Sequence, residues 1–155
     1  MTRAKETAQL IAQQLPDTVV VDEPDPLLNE ALPSPMIPIR PHIKDAEEEI
    51  DAHHDRIEEA FQKYFYRADP IKEEDEDENK DEFEIIVCHG NVIRYFFCRA
   101  LQLPPEAWLR MSIFNCSLTY IMIRPSGVVS ARTLGDIGHL DYEESTFSLN
   151  YGLKW

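Results

Sequence analysis

The sequence predicts an α/β fold, a mixed sheet flanked by helices, and three observations carry that prediction. Helix-period and strand-type runs alternate along the chain. An apolar, β-branched run at residues 83–88 stops at His89-Gly90-Asn91 and passes directly into a helical run. Near the carboxyl end, two β-rich runs are joined by Pro125-Ser126-Gly127, the signature of a hairpin. Alternation with a terminal hairpin is the pattern of a layered mixed-sheet architecture.

The elements follow in order. Residues 2–15 read as a helix with Ala4, Ala8, Ile11 and Leu15 on one stripe, ended by Pro16-Asp17. Residues 18–21 read as a short strand. The connection at 22–41 is too rich in proline for a regular element. Residues 45–66 form an amphipathic helix whose stripe is Ile50, Ile57, Phe61, Tyr64 and Phe65, with His53 and His54 on its exposed side. Eight carboxylates crowd between Glu73 and Glu82. Like charges at that density repel and have nothing to bury, so about 69–82 is expected to be a mobile acidic loop. The strand at 83–88 and the helix at 92–101 come next, the helix presenting Val92, Tyr95, Phe96, Arg99 and Ala100 at helical spacing and closed by Pro104-Pro105. A helical turn at 106–111 precedes the hairpin runs at 116–124 and 128–133. The tail from Gly135 carries no clear pattern.

Composition narrows the function. At 155 residues, with 43% hydrophobic side chains, the chain is long enough for one domain with a real core. A net charge of −14 argues against nucleic acid or an anionic membrane as partner, because both favour a basic face. No apolar run is long enough to span a bilayer, and the start, Met1 to Thr7, has no signal-like apolar stretch. Cys88, Cys98 and Cys116 lack CxxC spacing and sit among apolar residues, as reduced core thiols do. His53 and His54 beside carboxylates suggest a metal site only weakly, because adjacent helical positions diverge by about 100°. The acidic loop lacks the glycine and alternating ligands of a calcium loop, so a solvated loop is the expectation.

Three places can carry chemistry. His89 would sit at the carboxyl end of a strand beside the N-terminus of a helix, where unpaired N–H groups and the helix dipole favour anions, phosphate above all. It is equally readable as a turn histidine. Arg3, at the start of the first helix, can reach past the helix end and grip a phosphate bidentately, or be an ordinary surface arginine. Glu30, after Leu27-Leu28-Asn29, can serve as a loop acid or base, or be a surface residue.

Together these stretches resemble the histidine phosphatase superfamily, which includes the phosphoglycerate mutases. Thr2-Arg3-Ala4-Lys5-Glu6-Thr7 matches its R-A-x-E-T helix start, Leu27-Leu28-Asn29-Glu30 its L-x-E element, and Val87-Cys88-His89-Gly90 its second histidine motif, in the same order. The runs from Cys88 to Tyr95, from Cys98 to Arg110 and from Arg132 to Asp136 resemble a mitochondrial serine/threonine protein phosphatase of that superfamily. The resemblance implies a phosphoglycerate-mutase-like sheet and hydrolysis of phosphorylated serine or threonine proteins through a phosphohistidine. It implies that Arg3, His89 and Gly90 bind the phosphate and that Glu30 is the acid/base, with no cofactor and no metal. The superfamily's nucleophile stands in an Arg-His-Gly strand motif, and no Arg-His pair occurs in this chain; His42, His53, His54 and His139 have no such setting. The chain is therefore expected to be one incomplete domain, the C-terminal part of such an enzyme, lacking that strand and inactive alone. Mitochondrial placement follows from resemblance only, the alternative being cytoplasmic. The competing reading is a non-catalytic short form that binds phosphorylated partners or the full-length enzyme, with homo-oligomerisation a further option.

Overall fold

A computed structural model describes residues 1–39, 46–68 and 81–147. The expected acidic loop and His42 lie outside the described residues, apart from Asp81 and Glu82, which are exposed. Three helices are present among them: α1 (Thr2–Ala12), α2 (Ala46–Tyr64) and α3 (Gly90–Ala100). A two-stranded antiparallel sheet follows, β1 (Leu118–Ile123) against β2 (Val129–Asp136).

The core is built where α2 and α3 cross. Helix α2 carries Glu47, Glu48 and Glu49 in its first turn and Lys63 in its last, each on the side the helix dipole favours. Its stripe behaves as the periodicity requires: Ile57 and Ala60 pack with Val92, Tyr95, Phe96 and Ala31, backed by the stacked rings of Phe61 and Phe65. The same crossing is locked by Glu58, whose carboxylate takes two hydrogen bonds from Arg99, at 2.7 and 2.9 Å, and one from the Tyr95 hydroxyl. A second cluster joins Leu32, Met36, Ile50 and Cys98 around the fully buried Trp108, which lies in a 3-10 turn at Pro105–Arg110.

Helix α3 ends in a Schellman motif. Leu103 N–H donates to Cys98 O at 2.9 Å and Gln102 N–H to Arg99 O at 3.2 Å. Gln102 occupies the left-handed position, φ 58°, where a side chain costs about 1–2 kcal/mol and glycine is the usual choice. Gln102→Gly is accordingly expected to raise stability by about 0.5–1 kcal/mol in urea unfolding; a loss would contradict the assignment.

The hairpin is as expected, with register irregularities on either side of Tyr120. Its turn needs Gly127: φ is +85°, and a Cβ there would lie 2.6 Å from the Arg67 guanidinium carbon.

Four expectations need correction. Residues 18–21 and 83–88 join no ladder among the described residues. A strand exists only through a hydrogen-bonded neighbour, and the single pair described is the hairpin, so only that part of the mixed sheet is realised here. The stripe of α1 holds no fully buried residue: Ala4, Ala8 and Leu15 are half-buried and Ile11 is exposed. His53 and His54 are half-buried rather than on the outer side of α2, because the chain at 33–35 folds over that face and the Pro33 carbonyl lies 2.7 Å from His54 Nδ1. Cys98 is buried and Cys88 half-buried, but Cys116, at positive φ in the approach to β1, is exposed.

Candidate active site

Three distant segments meet at the N-terminus of α3. The residues before α3 bring up His89, which occupies the N-cap position with extended backbone. Its side chain makes no capping bond to the helix. The proline-rich connection brings up Glu30, just past a 3-10 turn at Pro26–Leu28 that Asp25 caps through a 2.8 Å bond from Leu27 N–H. Helix α1 brings up Arg3 without a fully buried residue of its own: its first turn is held by polar contacts, Met1 N to Asn29 Oδ1 at 3.3 Å among them.

Arg3 is the centre of the group. Its Nη2 lies 3.1 Å from His89 Nδ1 and 3.9 Å from Glu30 Oε2. A guanidinium only donates, so His89 Nδ1 must be the acceptor and the ring proton belongs on Nε2. Burial is the main force on this imidazole, only 4% exposed. Burial, the positive charge of Arg3 and that of the amino terminus lower its pKa to about 4. His89 is thus a neutral N–H donor at physiological pH, and an incoming anion would oppose the two cations and raise its pKa.

Glu30 is shifted the other way. Burial raises its pKa, partly offset by backbone N–H donors from Ala31, at 3.2 Å, and Asn91, and by the charges of Arg3 and Arg94. A carboxyl with a raised pKa is suited to giving and taking a proton. Gly90 opens the helix; a Cβ on it would meet Arg94 Nη1 at 3.7 Å, an ordinary contact, so packing does not demand glycine there. Cys88, its thiol pushed up to about 12 by burial, is inert beside the cluster.

All three sequence-predicted polar residues are therefore within reach of one another, with Gly90 adjoining. Sequence reasoning missed the groups that hold them. Asn91 donates through Nδ2 to Ala31 O at 3.1 Å, and accepts at Oδ1 from Arg94 Nη1 at 2.9 Å. Arg94 Nε donates to Met111 O at 2.8 Å. Arg56 of α2 binds the loop that carries Glu30. Only the neighbouring His89-Gly90 could have drawn attention to Asn91; Arg56 has no sequence signal beyond lying on the polar side of an amphipathic helix. Among the described residues, no group of three His, Cys, Asp or Glu side chains is placed to hold a metal. No described helix is long and apolar enough to cross a membrane.

An arginine, a neutral imidazole and a raised-pKa carboxyl at an uncapped helix start form a site suited to an oxyanion, on an α/β framework. The profile of the histidine phosphatase superfamily (branch 1) matches residues 1–134, and the chain belongs to that superfamily. Among curated relatives, it is 49% identical over 148 residues to the mitochondrial serine/threonine-protein phosphatase Pgam5 of Caenorhabditis elegans, covering 96% of this chain and 50% of the relative. Against PGAM5 of Homo sapiens, likewise a mitochondrial serine/threonine-protein phosphatase, it is 45% identical over 150 residues, covering 96% of this chain and 48% of the relative. The chain spans about half the length of the curated relatives it matches. A crystal structure of phosphoglycerate mutase from Plasmodium falciparum aligns with a TM-score of 0.58 at 37% identity, covering 96% of this chain and 73% of that one. The phosphoglycerate-mutase-like α/β fold expected from sequence is thereby shown.

Proposed function

We propose that this chain supplies the phosphate grip and the acid/base of a serine/threonine phosphoprotein phosphatase that works through a phosphohistidine. The observation carrying the reading is the convergence of Arg3, Glu30 and His89, from three separate segments, around one guanidinium. The relatives named as serine/threonine phosphatases support the reaction class and their mitochondrial labels support the location.

In this reading Arg3 and the Nε2–H of His89 donate to the non-bridging oxygens, with the N–H of Gly90 at the helix start beside them. Fixed donors of this kind meet the charge of the transferring group without reorganisation. Attack by a histidine forms the N–P bond as the bond from phosphorus to the serine or threonine oxygen breaks. Glu30 delivers its proton to that oxygen, then takes one from the water that hydrolyses the phosphohistidine. The attacking histidine of the superfamily's Arg-His-Gly motif is not among this chain's residues. The 155-residue chain by itself is therefore expected to turn over no phosphomonoester.

A second reading, a phosphate-binding short form that engages phosphorylated partners or a full-length copy, would use the same grip of Arg3 and His89. Calorimetric titration with a phosphoserine peptide and its unphosphorylated twin tests the grip that both readings share. The phosphorylated peptide should bind more tightly, and Arg3→Ala should weaken it by about 10- to 100-fold, the worth of a charge-assisted hydrogen bond. Equal binding of the two peptides would sink both readings. Turnover by the chain alone, abolished in His89→Ala, would overturn the account of the nucleophile.

A further inference from the structure

The polar atoms around the Glu30 loop converge on a residue that neither the resemblance nor the comparisons assign. Arg56, on α2, sends Nη1 to Leu27 O at 2.7 Å, Asn29 O at 3.0 Å and Pro26 O at 3.4 Å, and Nη2 to Glu30 O at 3.3 Å. Four carbonyls of one short loop turn toward a single guanidinium because the 3-10 turn at Pro26–Leu28 is followed by extended backbone at Asn29. Among the described residues Arg56 forms no salt bridge, so its donors serve carbonyls and not a carboxylate. On the other side of Glu30, the Asn91 amide takes the carbonyl of Ala31 at 3.1 Å. The backbone of Glu30 is thus held between α2 and α3, and α3 begins at the residue after His89.

We propose that Arg56 is the positioning residue of the acid/base: by gathering the carbonyls of 26–30 it sets the Glu30 carboxyl against Arg3 and His89 and keeps it out of water. The inference rests on the reading of Glu30 given above. A rigid planar fork whose N–H donors are spread over separate nitrogens suits this task, whereas the three donors of lysine all radiate from one nitrogen. Geometry at an acid/base matters because misplacement by about 1 Å can lower a rate about 100-fold.

The charged and titratable groups facing the Glu30 carboxyl are Arg3 from α1, Arg56 behind the loop from α2, and Cys88 and Arg94 from the chain entering and forming α3, with His89 on the far side of the Arg3 guanidinium. Burial is the largest influence on Glu30; Arg56 hydrogen-bonds its backbone and meets its carboxyl only through charge at longer range. Loosening the loop should therefore act mainly by letting water in.

The test is a pH titration of carboxyl-labelled chain followed by NMR, with Glu30→Gln assigning the resonance. In Arg56→Ala the Glu30 midpoint should fall toward the ordinary carboxylate value, while affinity for inorganic phosphate is unchanged because Arg3 is intact. Arg56→Lys should restore the midpoint only in part. A folded Arg56→Ala chain with the wild-type midpoint would overturn the proposal, since a mere staple between loop and helix need not move it. If Arg56→Ala does not fold, Arg56→Gln, which keeps two N–H donors without the charge, decides in the same way. Phosphate affinity insensitive to Arg3→Ala would remove the site reading itself, an outcome separate from the Glu30 midpoint.

Discussion

Replacing Trp108 by alanine should destabilise the chain by about 3–5 kcal/mol, the range for deleting a large aromatic from a core. The indole is fully buried against Leu32, Met36, Ile50 and Cys98. Its Nε1–H donates to the carbonyl of buried Ser34 at 3.0 Å. Truncation would leave both a cavity and an unpaired carbonyl, and domains of this size have only about 5–15 kcal/mol in all. The cost should extend to the site, because 31–36 is the continuation of the Glu30 loop. Trp108→Phe keeps most of the ring but loses the donor, and should cost about 1–3 kcal/mol. Urea unfolding of both variants checks this. A cost below about 1 kcal/mol for the alanine variant would mean that the cluster is not a core.

Acid should weaken the fold through His89. Its pKa is about 4 in the native chain against an ordinary 6.5, so between those values the unfolded chain takes up a proton that the native chain refuses. Stability must then fall as the pH drops from about 6.5 to about 4, by up to about 3 kcal/mol, and be fully recovered above that window. Glu30 works in the opposite sense. Its raised native pKa contributes stability below about 4.5, which is lost as pH rises through the native value. Urea unfolding of wild type and His89→Gln at pH 7, 6 and 5 separates the two. The variant should show a flatter pH dependence over that interval, and an unchanged slope would show that the buried imidazole is not the cause. Bound phosphate should also flatten the wild-type profile, because an anion beside His89 offsets the cations that depress it.

Much of this molecule was legible without coordinates, and the reason is local. The stripe of Ile50, Ile57, Phe61, Tyr64 and Phe65 needs only helical spacing to be seen, and the helix appears as Ala46–Tyr64. Pro125-Ser126-Gly127 between two β-rich runs is a turn wherever it occurs, and the hairpin is there. Arg3, Glu30 and His89 could be nominated because family motifs preserve residue type and order. The histidines of α2 were misplaced because the spacing of a helix does not reveal what will lie against it; the carbonyl of Pro33 does that for His54.

The sequence by itself determined where helices and hairpin form, which residues are chemically able to grip a phosphate, and which superfamily the chain belongs to. All of these depend on residues a few positions apart or on motifs read in order. Only the tertiary structure decided which segments enter a ladder, that α1 docks through polar contacts of its first turn with its apolar stripe no more than half-buried, and that Arg56 gathers the Glu30 loop. It alone set His89 neutral and Glu30 inclined to hold its proton. Those outcomes are set by the loss of water and by partners far away in the chain, and desolvation and long-range pairing leave no trace in local pattern.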